Sequence, residues 1–291
     1  MLTFRDALRE KDVVVTAELP LTPGSSARDI EDSLQALAPV VDAVQISDNR
    51  MAAGHASPVA IAALAISNGV DAVPHLSCRD RNRIALRGDI LGAAVNGVTS
   101  LVVARGEKVP ANAAVRAKGV FNGNASELAE FARRVNEEST IVSPPGFAIG
   151  TYSTVFAPAP GWEATKLEEK IEAGARFLLT QSCLNTEVLR SYMEAVVARR
   201  ITHRAAVIVE VPLLTSIEEA RSIKEIQPGA PLPEDVVKRI AGSQDPVAAG
   251  VEACAEVLKT AVAVPGVSGV NVLHYGEAGT VAEAIRASGL R

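Results

Sequence analysis

An α/β barrel of eight strand–helix units is the fold that the sequence predicts, on three observations. A short apolar run followed by a helical pattern recurs eight times along 291 residues, which is the arithmetic of a (βα)8 TIM barrel. Most of the short runs are continuously apolar, as in parallel strands covered on both faces. The loop after the first strand, Leu19-Pro20-Leu21-Thr22-Pro23-Gly24, has no glycine-rich phosphate fingerprint, which a doubly wound sheet would normally carry there. No stretch reads as a linker, so residues 1–291 are expected to form a single barrel domain.

The elements follow in order. Val13–Leu19 is rich in β-branched residues and stopped by Pro20 and Pro23, a strand signature. A helix is expected over 27–39 and a second strand over Ala43–Ser47. Pro58 suits the first turn of the next helix, where its missing N–H costs nothing. Ala72–Ser77 is the third strand, and the helix behind it is expected to start at Asp80 and bury Ile84, Leu91 and Val95. Ser100–Ala104 is the fourth strand; a long loop then runs to Asn124, a length typical of functional loops. Further strands are expected at 147–152, 176–181, 206–211 and 269–275, with helices at 126–137, 163–174, 186–199, 216–225, 233–241 and 280–287. Asp245-Pro246 caps one more helix, with Val247, Val251, Cys254, Leu258 and Ala261 as its buried stripe.

Composition narrows the function. With 48% hydrophobic and 22% charged residues the chain is globular and not disordered. A net charge of −5 without a basic block, and only 3% aromatics, argue against a nucleic-acid partner. No window approaches a membrane span. Three scattered cysteines, Cys78, Cys183 and Cys254, point to a reducing, cytoplasmic setting and form no metal-spaced pair. The four histidines have no metal-ligand spacing, so no metal is expected.

In a barrel, chemistry collects where strands end. The strand ends here supply Glu18, Ser47, Asp48, His75, Ser77, Arg105, Glu107, Thr151, Tyr152, Thr180, Gln181, Glu210, His274 and Tyr275. Eight polar ends on one face point to an enzyme. Glu18 leads the list, because a carboxylate in a buried strand is costly unless paired, hydrogen-bonded or protonated for a purpose. Plainer roles exist for several of these residues. His75 also suits a core histidine, Glu107 a solvated charge cluster with Arg105 and Lys108, and Gln181 a strand cap. Arg87-Gly88-Asp89 falls within a helical pattern and Asn124-Ala125-Ser126 is a sequon without a secretory context, so neither is given a role.

Several stretches together resemble the methylenetetrahydrofolate reductases: Val-Thr-Ala-Glu18-Leu-Pro, Pro74-His75-Leu-Ser-Cys-Arg-Asp-Arg-Asn-Arg-Ile-Ala-Leu, Val-Ala-Arg105-Gly106-Glu107, Lys170-Ile-Glu-Ala-Gly-Ala-Arg-Phe-Leu-Leu-Thr-Gln181, and Val-Pro-Gly-Val-Ser-Gly-Val-Asn-Val. The resemblance implies a barrel that reduces 5,10-methylenetetrahydrofolate to 5-methyltetrahydrofolate, with hydride from NADH or NADPH passed through FAD or directly. It implies Glu18 as the general acid, Glu107 as an assisting acid, and Gln181, Glu107 and Ile217 as substrate contacts. It also implies Ser47, His75, Arg105, Tyr152 and Lys170 as flavin contacts. The chain departs from the family pattern in having Glu107 where aspartate is usual and Ile217 where an aromatic residue often sits. A tetrahydropterin methyl-transfer or demethylation protein, and a non-catalytic folate-binding subunit of a larger reductase, are the alternatives. A homo-oligomer or a partner reductase subunit are the assemblies considered.

Overall fold

The computed structural model describes residues 2–111, 113, 115–138 and 145–291, with the Met51 side chain excepted. The long loop expected after the fourth strand includes Asn112 and Ala114, which lie outside the described residues. Eight strands, β1 (Val14–Glu18), β2 (Ala43–Ile46), β3 (Ala72–Ser77), β4 (Ser100–Ala104), β5 (Ala148–Ser153), β6 (Phe177–Thr180), β7 (Ala206–Pro212) and β8 (Gly269–Leu273), pair in sequence order. All pairs are parallel, and β8 returns to β1 with Val14 opposite Gly269, which closes the barrel. The expected strands match within one or two residues.

The helices are α1 (Phe4–Glu10), α2 (Ala27–Leu37), α3 (Pro58–Ser67), α4 (Arg83–Val95), α5 (Ala125–Glu137), α6 (Thr165–Glu172), α7 (Thr186–Ala198), α8 (Ile217–Ile226), α9 (Glu234–Ala241), α10 (Pro246–Val262) and α11 (Ala278–Ala287). Their starts follow local chemistry. Ser26 and Asn124 form capping boxes with Asp29 and Glu127, and Asp245 caps α10 through a bond from the Ala248 amide. Among the described residues, no helix is long and apolar enough to cross a membrane.

The strand period of two sorts the core into two parts. Val15, Ala17, Leu76 and Leu178 belong to the cluster packed against the helices. Val14, Ala43, Val73, Val102, Leu179 and Ile208 fill the barrel near the strand starts. Alternation from these inner residues places Thr16 and Glu18, Gln45, His75 and Ser77, Glu210 and Asn271 inside the barrel as well, above the apolar layer. The helix α1 plugs the lower end. Phe4 meets Phe177 edge-on with centroids 5.2 Å apart, and its amide donates to the Asp71 carboxylate at 2.5 Å. Gly150 is what lets the Phe177 ring lie there, because a Cβ on it would come within 2.2 Å of that ring.

Three local expectations are corrected. The helix α1 was not anticipated. The helix α4 starts at Arg83 with Asn82 as its cap, while Asp80 instead binds the Arg79 guanidinium. Its buried residues are Leu86, Ile90 and Ala93; Ile84 and Val95 are exposed and Leu91 is partly buried. This helix carries apolar residues on both faces, so periodicity alone does not choose the face. Val247, in the first turn of α10, is exposed, whereas Val251, Cys254, Leu258 and Ala261 are buried.

Candidate functional site

Glu18 ends β1 and points into the barrel mouth, 5% exposed. One oxygen, Oε1, accepts from the Ser47 amide at 3.1 Å; the other, Oε2, is buried without a partner. Burial pushes its pKa up from 4.5 to about 7, against the opposing pull of Arg50 and the Ser47 hydrogen bond; the Glu210 charge adds to the rise. A carboxyl in that range keeps part of its protons at neutral pH, the property a general acid needs.

The residue facing it, Arg50, was not picked out from the sequence. Asn49 takes a left-handed conformation (φ 46°), which turns the chain after β2 and starts a short 3-10 helix at Arg50. The Arg50 guanidinium donates to the Tyr275 hydroxyl at 3.0 Å and to Ser47 Oγ at 3.4 Å. Burial works against its charge, but Glu18, Tyr275 and Glu210 outweigh that and hold its pKa above the ordinary arginine value. A clue was available, since Arg50 lies three residues past the polar end of β2.

A cavity of about 320 Å³ opens at the mouth. Ser47, His75, Arg105, Glu107, Tyr152, Lys170 and Gln181 all line it, so seven of the nine predicted site residues converge there. Glu18 is not on the wall itself but lies behind Ser47 and Arg50, which are. Ile217 is elsewhere: it opens α8 and lines a separate groove with Ala220, Leu232 and Val237.

Each wall residue is held by its surroundings. His75 bonds Gln45 Oε1 through Nε2 and the Tyr152 hydroxyl through Nδ1, both at 2.8 Å. Burial, with a smaller push from Arg50, drives its pKa down to about 3, so the imidazole is neutral. Lys170 donates to the Tyr152 carbonyl at 2.7 Å, and burial lowers its pKa. The Arg105 guanidinium lies 4.5 Å over the Phe121 ring. Gly106 beside it has φ +84°, and a Cβ there would come within 2.7 Å of Arg79 Cβ, so only glycine fits. Glu107 is exposed at the rim. Asp48 ties the ends of β2 and β3 together, accepting from the Ser77 amide at 2.8 Å and from Arg81 Nη1 at 2.6 Å. Ser77 and Thr151 line the same cavity, and each has a buried hydroxyl without a partner.

Three of the remaining strand-end residues do other work. Thr180 Oγ1 accepts from the Glu210 amide at 3.0 Å. His274 lies at 3.0 Å from the Leu213 carbonyl. Glu210 is fully buried and takes a hydrogen bond from Ser182 Oγ at 2.6 Å. Among the described residues, no three His, Cys, Asp or Glu side chains gather as a metal site would require.

Comparisons with known proteins bear on the family and the fold. No curated protein matches the chain. A solved structure of an uncharacterised protein from Clostridium thermocellum, described as binding two copies of 5-methyl-5,6,7,8-tetrahydrofolic acid, superposes with a TM-score of 0.67 at 12% identity. The superposition covers 100% of this chain and 99% of that one, and at this identity it establishes the fold alone. The sequence profile of methylenetetrahydrofolate reductase matches residues 3–279, nearly the whole barrel with Glu18 and every wall residue named above. The chain belongs to the methylenetetrahydrofolate reductase family.

Proposed function

We propose that the protein reduces 5,10-methylenetetrahydrofolate to 5-methyltetrahydrofolate, with hydride originating from NADH or NADPH. The observation that carries the reading is Glu18: a buried carboxyl with a pKa of about 7 and one oxygen without a partner. The one-carbon bridge joins two nitrogens of the substrate. Opening it breaks one carbon–nitrogen bond, and the departing nitrogen takes a proton as the carbon becomes open to hydride. Glu18 supplies that proton. The carboxylate left behind is stabilised by Arg50 until it is protonated again. Gln181 and Glu107, on the cavity wall, offer the hydrogen-bonding groups suited to a pterin edge. Ile217 faces a different groove and receives no contact in this proposal.

The wall also suits a flavin. Ser47, His75, Arg105, Tyr152 and Lys170 lie on one cavity together with the unpartnered hydroxyls of Ser77 and Thr151. These residues would hold FAD by its polar ring edge and its phosphates. Bound there, FAD would relay hydride between the nicotinamide and the folate.

A second reading is a folate-binding protein, or a methyl-transfer protein, without hydride chemistry. The folate carried by the Clostridium thermocellum structure favours it. Turnover separates the two. The purified protein is expected to consume NADH or NADPH when 5,10-methylenetetrahydrofolate is added and to form 5-methyltetrahydrofolate in equal amount. Tight folate binding with no product would replace the reductase reading with the second one. The absorption spectrum of the same sample reports whether flavin copurifies.

A further inference from the structure

A row of polar side chains crosses the barrel interior above its apolar layer, and the reaction proposed above uses only Tyr152 and His75, at one end of it. From the wall inward it runs Tyr152, His75, Gln45, Thr16, Asn271 and Glu210. The contacts are Tyr152 hydroxyl to His75 Nδ1 at 2.8 Å, His75 Nε2 to Gln45 Oε1 at 2.8 Å, and Gln45 Nε2 to Thr16 Oγ1 at 3.4 Å. Thr16 Oγ1 then reaches Asn271 Oδ1 at 2.9 Å, and Asn271 Nδ2 reaches Glu210 Oε2 at 3.4 Å. Thr16, Gln45, Glu210 and Asn271 are fully buried, and His75 nearly so.

The direction of this chain follows from its last member. A carboxylate only accepts hydrogen bonds. Asn271 must therefore present its NH2 to Glu210 and its carbonyl oxygen to Thr16. Two acceptors lie within reach of the Thr16 hydroxyl, the Asn271 oxygen at 2.9 Å and the Val270 carbonyl at 3.3 Å; its proton goes to the nearer, and Thr16 accepts from the Gln45 NH2. The Gln45 oxygen is then turned to His75, whose Nε2 must carry the proton and whose Nδ1 must accept. The Tyr152 hydroxyl donates to Nδ1, which uses its only proton. Glu210 itself is held in place from the other side, where Oε1 accepts from Ser182 Oγ at 2.6 Å and from Gln227 Nε2 at 3.4 Å.

We propose that Glu210 is a positioning residue: it sets the direction of a hydrogen-bond chain that fixes His75 as its Nε2–H tautomer and leaves the Tyr152 hydroxyl able only to accept. A ligand group meeting that hydroxyl must then be a donor. The chemistry selected is the N–H edge of a heterocycle, such as the amide and amino edge of a pterin or the imide edge of an isoalloxazine. The nature of the ligand rests on the folate reading; the direction of the chain does not. A purely structural Glu210 would hold the β7 wall without dictating a tautomer four hydrogen bonds away.

The test separates the two parts. In the full-length protein labelled with 15N-histidine, long-range 1H–15N spectra report each ring's tautomer, and His75→Asn assigns the His75 signals among the four histidines. Wild type is expected to show His75 as Nε2–H alone. In Glu210→Gln an amide can donate where the carboxylate could only accept. The chain can then reverse, and the Nδ1–H form of His75 is expected to appear, with 5-methyltetrahydrofolate binding weakened on the order of tenfold. A wild-type His75 carrying its proton on Nδ1, or the same pure tautomer in both proteins, overturns the proposal. If Glu210→Gln does not fold, Asn271→Leu interrupts the chain one link earlier and is read by the same criterion. If the tautomer changes as expected while 5-methyltetrahydrofolate binds neither protein, the positioning role stands and the folate reading falls.

Discussion

Replacing Glu18 by glutamine removes a titrating proton and little else, so its effect on stability can be worked out from the structure. The folded carboxyl has its pKa raised from 4.5 to about 7 by burial. A difference of about 2.5, at about 1.36 kcal/mol per pH unit, corresponds to about 3 kcal/mol. The sign follows from proton counting. Between pH 4.5 and about 7 the folded state holds the Glu18 proton and the unfolded state has lost it, so wild-type stability falls as pH rises through that window. Above it, the full cost of a buried carboxylate remains. Glu18→Gln has no such titration. Urea unfolding of both proteins at a series of pH values therefore isolates the site, because every other group titrates in both and cancels in the difference. The stability of Glu18→Gln relative to wild type is expected to grow by about 3 kcal/mol from pH 4.5 to 8. Turnover of the variant is expected to fall by about 10²–10⁴, the span of general acid catalysis. A stability difference independent of pH would refute the buried-acid argument, and near-wild-type turnover would refute the role of Glu18 as proton donor.

Four further outcomes follow from the same geometry. Arg50 holds the Glu18 pKa down, so Arg50→Met should move the alkaline limb of the turnover–pH profile to higher pH; a shift to lower pH would contradict the electrostatics. Phe4→Ala empties the plug beneath Phe177 and should cost about 3–5 kcal/mol in urea unfolding, as for large core truncations. Gly150→Ala forces a methyl against the Phe177 ring and should destabilise by about 1–3 kcal/mol, again by urea unfolding; a neutral result would mean that ring is free to move. Gly106→Ala combines a positive φ with a close approach to Arg79, so a loss of about 1–3 kcal/mol is expected, accompanied by weaker folate binding measured by titration calorimetry.

The barrel was legible because its strands are apolar runs of nearly uniform length, such as Leu101-Val102-Val103, broken by turn residues that need no tertiary context. The polar residues of the mouth were legible for the same reason, since strand ends fix where they must gather. What escaped was set by contacts distant in sequence. The helix α1 has only seven residues, and its place depends on Phe177 and Asp71, far along the chain. The face of α4 could not be chosen because both faces are apolar. Arg50 is brought within electrostatic range of Glu18 by a left-handed residue at Asn49, a backbone turn that side-chain pattern does not announce. Thr16, Gln45 and Asn271 read as isolated polar interruptions of apolar strands, and only closure of the barrel brings them into one row.

The protonation of Glu18 can be followed directly in the resting protein by 13C spectra of the side-chain carboxyls, with Glu18→Gln identifying the signal. The account predicts a titration midpoint near 7, well above the ordinary value of 4.5. A midpoint at that ordinary value would mean the carboxyl is already ionised at neutral pH, and would contradict its role as the proton donor.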